Sequence, residues 1–194
     1  YQRGDQGSLD KAGLTCLVKA AGGDLLVDAT HPFASQVSTM AMEVAAESKI
    51  DYIRLERASL SIPDDPLIKK VESLEQIQEY LLPQQTVFST LGSKHLSLIV
   101  PMVKRAGGRL VVRVLPQSRV LEDCEELGLD PGSIVAMQGP FAKELNQQLF
   151  THYGAQLILT KESGAEGGLA AKLAAALEME IPIVVWARPP MQYL

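Results

Sequence analysis

The residues best suited to chemistry follow the predicted strands, where the chain turns toward a helix. The segment 25–30 predicts a buried strand that runs into Asp28-Ala-Thr-His-Pro-Phe-Ala34. Asp28 and Thr30 could bind a polar ligand, and His31 could transfer a proton near neutral pH. Phe33 would lie at the lip of such a site. The alternative is a turn in which Asp28 and Thr30 only satisfy backbone donors.

Two arginines stand at the end of the next predicted strand, residues 52–56. Arg54 and Arg57 carry the side chain that binds carboxylates and phosphates through two parallel hydrogen bonds. An ordinary surface pair with Glu56 is the alternative. These arginines are candidate ligands for an anionic substrate.

Two further loops combine glycines, hydroxyls and lysines, which suits the binding of an anion. The first leads into a helix start, where free backbone N–H groups favour negative charge, and it contains Thr90, Gly92, Ser93 and Lys94. It lacks the Gly-x4-Gly-Lys frame of a nucleotide-binding P-loop. The second is the longest glycine-rich loop in the chain, residues 160–168, and it contains Lys161, Ser163 and Gly164. A flexible loop without a ligand is the alternative there.

The elements that must position these loops alternate between strands and helices. The predicted strands are near-continuous apolar runs, which is typical of parallel sheets covered on both faces, and they span 25–30, 52–56, 86–91, 109–115, 134–137, 155–160 and 183–186. Helices are predicted over 35–48, 73–81, 94–105, 118–127, 141–153 and 169–177. A proline-rich break at residues 63–66 and a restart at Thr86 predict two such sheets.

Composition excludes several classes of function. The 194 residues carry 18 Lys+Arg against 23 Asp+Glu, a net charge of −5, which argues against a nucleic-acid partner. The two cysteines have no metal-ligand spacing, so no metal is expected and a reducing cytoplasm is the expected location. No apolar run reaches the ~20 residues that span a bilayer, so no membrane partner is expected. The predicted ligand edge is nevertheless basic, which indicates a small anionic ligand in a focused positive cleft; its residues are Arg54, Arg57, Lys94, Arg113, Lys161 and Arg188.

The same loops resemble a known family. Val27-Asp-Ala-Thr-His-Pro-Phe-Ala34 is similar to the signature of the precorrin-6A and cobalt-precorrin-6A reductases of cobalamin (vitamin B12) biosynthesis. The similarity continues along the chain through the segments 52–57, 89–94, 113–116, 138–141, 160–172 and 181–189. Asp-Ala-Thr-His-Pro-Phe-Ala is the specific motif, and the other segments support it jointly.

The resemblance implies an activity and a fold. The activity is NADPH-dependent reduction of one double bond in the precorrin-6A macrocycle, or in its cobalt-bearing analogue, to precorrin-6B. The small-molecule tetrapyrrole carries many carboxylate arms. The implied fold class is α/β, with two Rossmann-like lobes of mainly parallel sheets and a ligand cleft between them. Residues 1–85 would form the remainder of the N-terminal lobe, with its first strand and Gly-rich loop missing from this sequence, and residues 86–194 the C-terminal lobe.

The resemblance also assigns roles to the candidate residues. His31 is the expected proton donor. Substrate binding is expected from Asp28, Thr30, Phe33, Arg54, Arg57, Lys161, Ser163 and Gly164, and cofactor binding from Thr90, Gly92, Ser93 and Lys94. Two other classes of function remain open: a non-catalytic two-lobed binding module for an anionic ligand, and a nucleotide-sugar transferase that would bind uridine nucleotides.

Overall fold

Two separate parallel sheets form the protein. The computed structural model describes residues 10–56, 58, 60–164 and 167–191. Contacts within the chain divide it into two units, one comprising Tyr1–Arg57 with Pro189–Leu194 and the other Ala58–Arg188. Each unit contains one sheet, with two strands in the first unit and six in the second.

The first unit is a short α/β segment around a two-stranded parallel sheet. Its elements in chain order are α1 (Lys11–Ala21), β1 (Leu25–Asp28), α2 (Ser35–Ser48) and β2 (Asp51–Arg54). Asp10 caps α1 by accepting a hydrogen bond from the Gly13 N–H at 2.7 Å, and Gly22 ends the helix in the left-handed region at φ +60°. The register sets Asp28 opposite Arg54 at the carboxyl ends of the two strands. The predicted elements do not include α1.

The second unit contains the larger sheet. Its elements are β3 (Ile68–Val71), a 3-10 helix (Glu75–Tyr80), β4 (Thr86–Ser89), α3 (Leu96–Arg105), β5 (Arg109–Val114), α4 (Ser118–Glu126), a short 3-10 helix (Pro131–Ser133), β6 (Ile134–Ala136), α5 (Lys143–Tyr153), β7 (Leu157–Lys161), α6 (Leu169–Glu178) and β8 (Ile183–Trp186). The strand order is β3-β8-β7-β4-β5-β6, and every pair is parallel.

Both faces of this sheet are covered by hydrophobic side chains. Val87 and Val112 pack in one buried cluster, and Phe88 and Val111 pack in another. Because successive side chains of a strand point to opposite faces, this division shows that each face has its own core. The expectation of an α/β fold with parallel sheets is therefore confirmed. The ligand cleft between two lobes remains a prediction.

The point of division differs from the expected boundary between residues 85 and 86. β3 pairs with β8, with Ile68 opposite Ile183, so this strand belongs to the larger sheet. The predicted strands omit β3 because its short sequence, Ile-Lys-Lys-Val, lacks an apolar run. The predicted helix at 73–81 is a 3-10 helix from Glu75 to Tyr80. No helix among the described residues is long and apolar enough to cross a membrane.

Candidate functional site

The larger sheet reverses its strand order between β4 and β7. From β4 the chain proceeds to β5 and β6 on one side, whereas β7 and β8 lie on the other side. Ligands of open α/β sheets bind beyond the carboxyl ends of the strands at such a switch point. The loops that follow β4 and β7, residues 90–95 and 162–168, are the two predicted anion-binding loops, and we call them the switch-point loops. The fold therefore brings them to neighbouring positions.

The first switch-point loop leads directly into α3. Gly92 adopts φ +85°, a left-handed conformation that favours glycine, and the side chain of Lys94 is exposed. The Thr90 N–H and hydroxyl both donate to the Leu159 carbonyl, at 2.7 and 3.0 Å. Thr90 therefore joins β4 to β7, and its hydroxyl proton is already used, which weakens its predicted role as a cofactor ligand. The side chains of Ser93 and Lys94 form no hydrogen bond in the described structure, and Gly92 has no side chain.

His95 and Trp186 meet beside this loop. The His95 ring lies edge-on to the Trp186 ring, with centroids 4.9 Å apart. Burial lowers the pKa of His95, and the nearby charges of Lys161 and Lys94 lower it further. The imidazole is therefore held toward its neutral form, with an aromatic neighbour at the carboxyl end of β8.

The described residues of the second switch-point loop, 162–164 and 167–168, are tightly packed. Ser163 is 4% exposed, and its hydroxyl has no hydrogen-bond partner among the described residues. Gly164 adopts φ +78°, and a Cβ on Gly167 would collide with the Ser163 side chain. Glu162 accepts a hydrogen bond from the Arg188 N–H at 3.2 Å. A buried hydroxyl without a partner costs free energy, and the binding of a ligand by Ser163 remains a prediction.

A group of cations lies at this end of the sheet, with Lys172 buried and Arg113 and Lys161 half-buried. We call these three residues the basic cluster. Lys172, on α6, is 5% exposed. Burial, and after it the charges of Arg113 and Lys161, lower its pKa to about 7. Burial alone lowers the pKa of Arg113 to about 10. Burial lowers the pKa of Lys161, and Lys94 adds to the effect.

The described partners of Arg113 are neutral. Arg113 Nη1 donates to Asn146 Oδ1 at 2.9 Å, and its guanidinium lies over the Phe141 ring at 4.7 Å from the centroid. Asn146 in turn donates to the Ala142 carbonyl at 2.8 Å. Within the described part of the chain, no carboxylate forms an ion pair with Arg113 or Lys172. Among the described residues, Arg113 and Lys172 therefore have no fixed counter-charge.

The smaller sheet contains a different kind of polar site. Tyr52 Oη and Arg54 Nη1 each donate to Asp28 Oδ2 at 2.7 Å, and the Thr30 N–H donates to Asp28 Oδ1 at 2.9 Å. Arg54 also donates to the Ser38 hydroxyl. Burial opposes ionisation of Asp28, but hydrogen bonds to its carboxylate hold its pKa below the ordinary range. Burial, then the bond to Asp28, raises the pKa of Tyr52 to about 12.

This network changes the interpretation of Arg54. Its side chain is 4% exposed and pairs with Asp28, whose side chain is 1% exposed. The sequence predicts an open clamp for substrate carboxylates, whereas the structure gives Arg54 an internal partner. The guanidinium therefore stabilises the loop that follows β1. Arg57, the other predicted clamp, lies outside the described residues.

The loop itself presents His31 and Phe33. Both side chains are half-buried, and their ring centroids are 5.8 Å apart. The Phe33 N–H donates to His31 Nδ1 at 3.2 Å, so the neutral imidazole carries its proton on Nε2. Donation of a proton by His31 requires the imidazolium, in which Nδ1 also carries a proton and no longer accepts from the Phe33 N–H.

The sequence places Lys172 one turn into the helix that follows the second anion-binding loop but assigns it no role, and it places Arg113 only in the basic edge. One signal could have identified Lys172. It is the one charged residue between Leu169 and Leu177, and it lies one helical turn from Leu169 on a face that includes Ala176. A single lysine on the buried face of an apolar helix indicates either a structural ion pair or a site for an anion. No group of three or more His, Cys, Asp or Glu side chains that could hold a metal occurs in the described ranges.

Comparison with known proteins gives a consistent result. The family model described as "Precorrin-6x reductase CbiJ/CobK" matches residues 3–194. The cobalt-precorrin-6A reductase of Priestia megaterium is 38% identical over 189 residues, which is 96% of this chain and 74% of the relative. The enzyme of the same name from Methanocaldococcus jannaschii is 39% identical over 186 residues, 95% of this chain and 72% of the relative.

A solved structure shares the fold. It is described as CobK precorrin-6A reductase, and it aligns with a TM-score of 0.77 at 24% identity over 96% of this chain and 73% of that one. The family model covers nearly the whole chain, and two relatives exceed one third identity over most of their length. The chain therefore belongs to the precorrin-6x reductase family.

Proposed function

We propose that the protein containing this chain reduces one double bond of precorrin-6A, or of cobalt-precorrin-6A, to precorrin-6B, with NADPH as the reductant, in cobalamin biosynthesis. The observation that carries this proposal is the basic cluster at the switch point of a chain from this family. Two relatives are named for the cobalt-containing substrate, so cobalt-precorrin-6A is the first substrate to test.

The basic cluster fits a substrate with several carboxylates. Arg113 is close enough to Lys172 to lower the pKa of that lysine, and burial lowers the pKa of both side chains. Like charges in such surroundings repel, and a bound carboxylate supplies the opposite charge. The Ser163 hydroxyl, buried and without a described partner, can donate to the same anion. We therefore propose that the basic cluster, which includes Lys161, binds substrate carboxylates together with Ser163 and Gly164.

The first switch-point loop fits an anionic group of the reductant. The ten-residue helix α3 begins at Leu96, and only the N-cap residue His95 separates it from Gly92-Ser93-Lys94. Backbone N–H groups at a helix start and an exposed lysine favour a phosphate. We propose that Gly92, Ser93 and Lys94 hold that phosphate. NADPH, when bound, supplies the hydride of the reaction.

The loop after β1 is proposed to face the macrocycle. Thr30 and Phe33 would shape the pocket. We propose His31 as the donor of the proton that accompanies the hydride; it would act as the imidazolium, which requires loss of the hydrogen bond from the Phe33 N–H to Nδ1. Asp28 and Arg54 would act indirectly, by holding this loop through their buried ion pair. Arg57 remains a predicted carboxylate ligand.

The test is an assay of the complete protein with NADPH and each substrate, cobalt-precorrin-6A and precorrin-6A. Loss of nicotinamide absorbance is followed together with the macrocycle spectrum. Coupled changes are the expected result. A macrocycle that binds without oxidation of NADPH would contradict the proposal and favour the binding module. Binding of uridine nucleotides in place of NADPH would favour the transferase.

A variant makes the assay specific to the site. Lys161→Met should raise the Michaelis constant for the tetrapyrrole about 10- to 100-fold, because a charge-assisted hydrogen bond contributes about 1.5–3 kcal/mol. The Michaelis constant for NADPH should change much less. Lys104→Met, at an exposed position near the end of α3, is the matched control and should leave both constants unchanged.

A further inference from the structure

We propose that Lys172 forms an anion subsite with Arg113, and that binding of a substrate carboxylate at this subsite is coupled to the uptake of one proton by Lys172. This inference rests on the proposed function for the identity of the carboxylate. It adds a residue and a linkage between binding and pH that the family assignment does not contain.

The first argument is that Lys172 is buried and has no counter-charge among the residues that the structure describes. The side chain begins one turn into α6, and its residue is 5% exposed. No described carboxylate pairs with it, and no described group accepts a hydrogen bond from its ammonium. An ammonium ion that has lost its water and has no partner is unstable relative to the neutral amine.

The second argument is the charge of the surrounding elements. β5 contributes Arg113 and β7 contributes Lys161, both positive, and both disfavour a third charge at Lys172. On α5, which packs beside α6, Lys143 pairs with Glu178 at the other end of α6, with 2.6 Å between Nζ and Oε1. The remaining charged or titratable groups on α5 are Glu144 and His152, which are exposed, and Tyr153, which is half-buried.

These surroundings lower the pKa of Lys172 to about 7, so much of the free protein holds a neutral amine above neutral pH. A carboxylate bound beside Arg113 would reverse the local charge balance. It would accept a hydrogen bond from Lys172 and favour the ammonium form, which raises the pKa of that group. Between the free and bound pKa values, binding must therefore take up a proton.

The buried hydroxyls at the same end of the sheet support a ligand. The side-chain oxygens of Thr160 and Ser163 are buried, and neither has a hydrogen-bond partner among the described residues. Unsatisfied buried hydroxyls are uncommon in folded proteins, and a bound polar group accounts for them. Together with two cations lacking described counter-charges, they make this a site prepared for an anion.

The experiment is calorimetric titration of the complete protein with the tetrapyrrole substrate, without NADPH, in buffers of different ionisation enthalpy. The slope of heat against buffer enthalpy counts protons directly. We expect roughly 0.9 proton taken up per substrate at pH 8 and roughly 0.1 at pH 6. The dissociation constant should rise up to about tenfold per pH unit above pH 7.

Two variants assign the proton to Lys172. Lys172→Arg keeps a charge that does not titrate in this range, so it should bind substrate with no uptake attributable to this position and with a flatter dependence on pH. Lys172→Met should lose both the uptake and about 10- to 100-fold in affinity. Lys104→Met, exposed on α3, should behave like the unmodified protein. Uptake that persists in both Lys172 variants, or its absence in the unmodified protein at pH 8, would overturn the proposal.

A titration with NADP+ distinguishes the source of the anion. Proton uptake with NADP+ that disappears in Lys172→Met would place a phosphate at the subsite and overturn the carboxylate assignment. The proposed function fails separately: uptake with the substrate but no NADPH oxidation would refute the reductase activity and leave this inference standing. NADPH oxidation without proton uptake on substrate binding would refute this inference and leave the reductase activity standing.

Discussion

Replacing Lys172 with methionine should stabilise the folded protein, because it removes a buried ammonium and keeps a side chain of similar length. Burial lowers the pKa of Lys172 from 10.5 to about 7, and the charges of Arg113 and Lys161 contribute. The folded protein therefore binds this proton more weakly than the unfolded chain does. Loss of the charged group removes that penalty.

The magnitude follows from the two pKa values. The difference between 10.5 and about 7 corresponds to about 5 kcal/mol, which is the upper limit of the penalty below pH 7. Between pH 7 and 10.5 the unfolded chain binds more protons than the folded one, so the free energy of unfolding rises with pH. Lys172 alone should contribute up to about 1.4 kcal/mol per pH unit across that window.

Urea unfolding at pH 6, 7.5 and 9 measures this effect. The Lys172→Met variant should be the more stable protein at pH 6, by up to about 5 kcal/mol, and the difference should shrink as pH rises. Lys104→Met serves as the control for loss of an exposed lysine. The free energy of unfolding could instead depend on pH equally in the variant and the unmodified protein, or the variant could be the less stable one at pH 6. Either result would show that Lys172 has a counter-charge in the folded protein.

Two further predictions concern the loops. Arg54→Ala should lower the free energy of unfolding by about 3–5 kcal/mol, because it leaves the Asp28 carboxylate buried without its cation. Chemical denaturation measures this loss. A loss of less than about 1 kcal/mol would contradict the buried ion pair. Gly167→Ala should lower the melting temperature because its Cβ collides with Ser163, and Ser163→Gly in the same chain should recover most of the loss; no recovery would exclude that collision as the cause.

The sequence predicts the parallel sheet and its loops because their signals are local. The apolar runs at 86–91 and 109–115 mark β4 and β5, and the glycines that follow strands mark the switch-point loops. β3 escaped prediction because an edge strand with two lysines carries little hydrophobic signal. β3 pairs with β8, whose residues lie more than 100 positions away in the sequence. Local sequence patterns therefore could not show where the boundary between the two units lies.

The candidate site divides in the same way. The positions of Gly92 and Ser163 follow from strand–loop–helix order, so residue types sufficed to predict them. The state of Arg54 depends on the Asp28 carboxylate across the sheet, and sequence patterns do not show whether an arginine faces a ligand or an internal partner. Lys172 on α6 is the opposite case. Its pKa is lowered by burial and by cations on the strands β5 and β7, and only the fold brings these groups together.

The contact between His95 and Trp186 makes the site optically visible. Trp186 is the one tryptophan of the sequence, and it stands at the carboxyl end of β8 beside the first switch-point loop. All tryptophan emission therefore arises from this neighbourhood. A coloured tetrapyrrole bound at the switch point would quench it by energy transfer, whereas unfolding would shift its wavelength. The protein thus contains its own fluorescent reporter, and a ligand titration can distinguish occupation of the site from loss of the fold without any attached label.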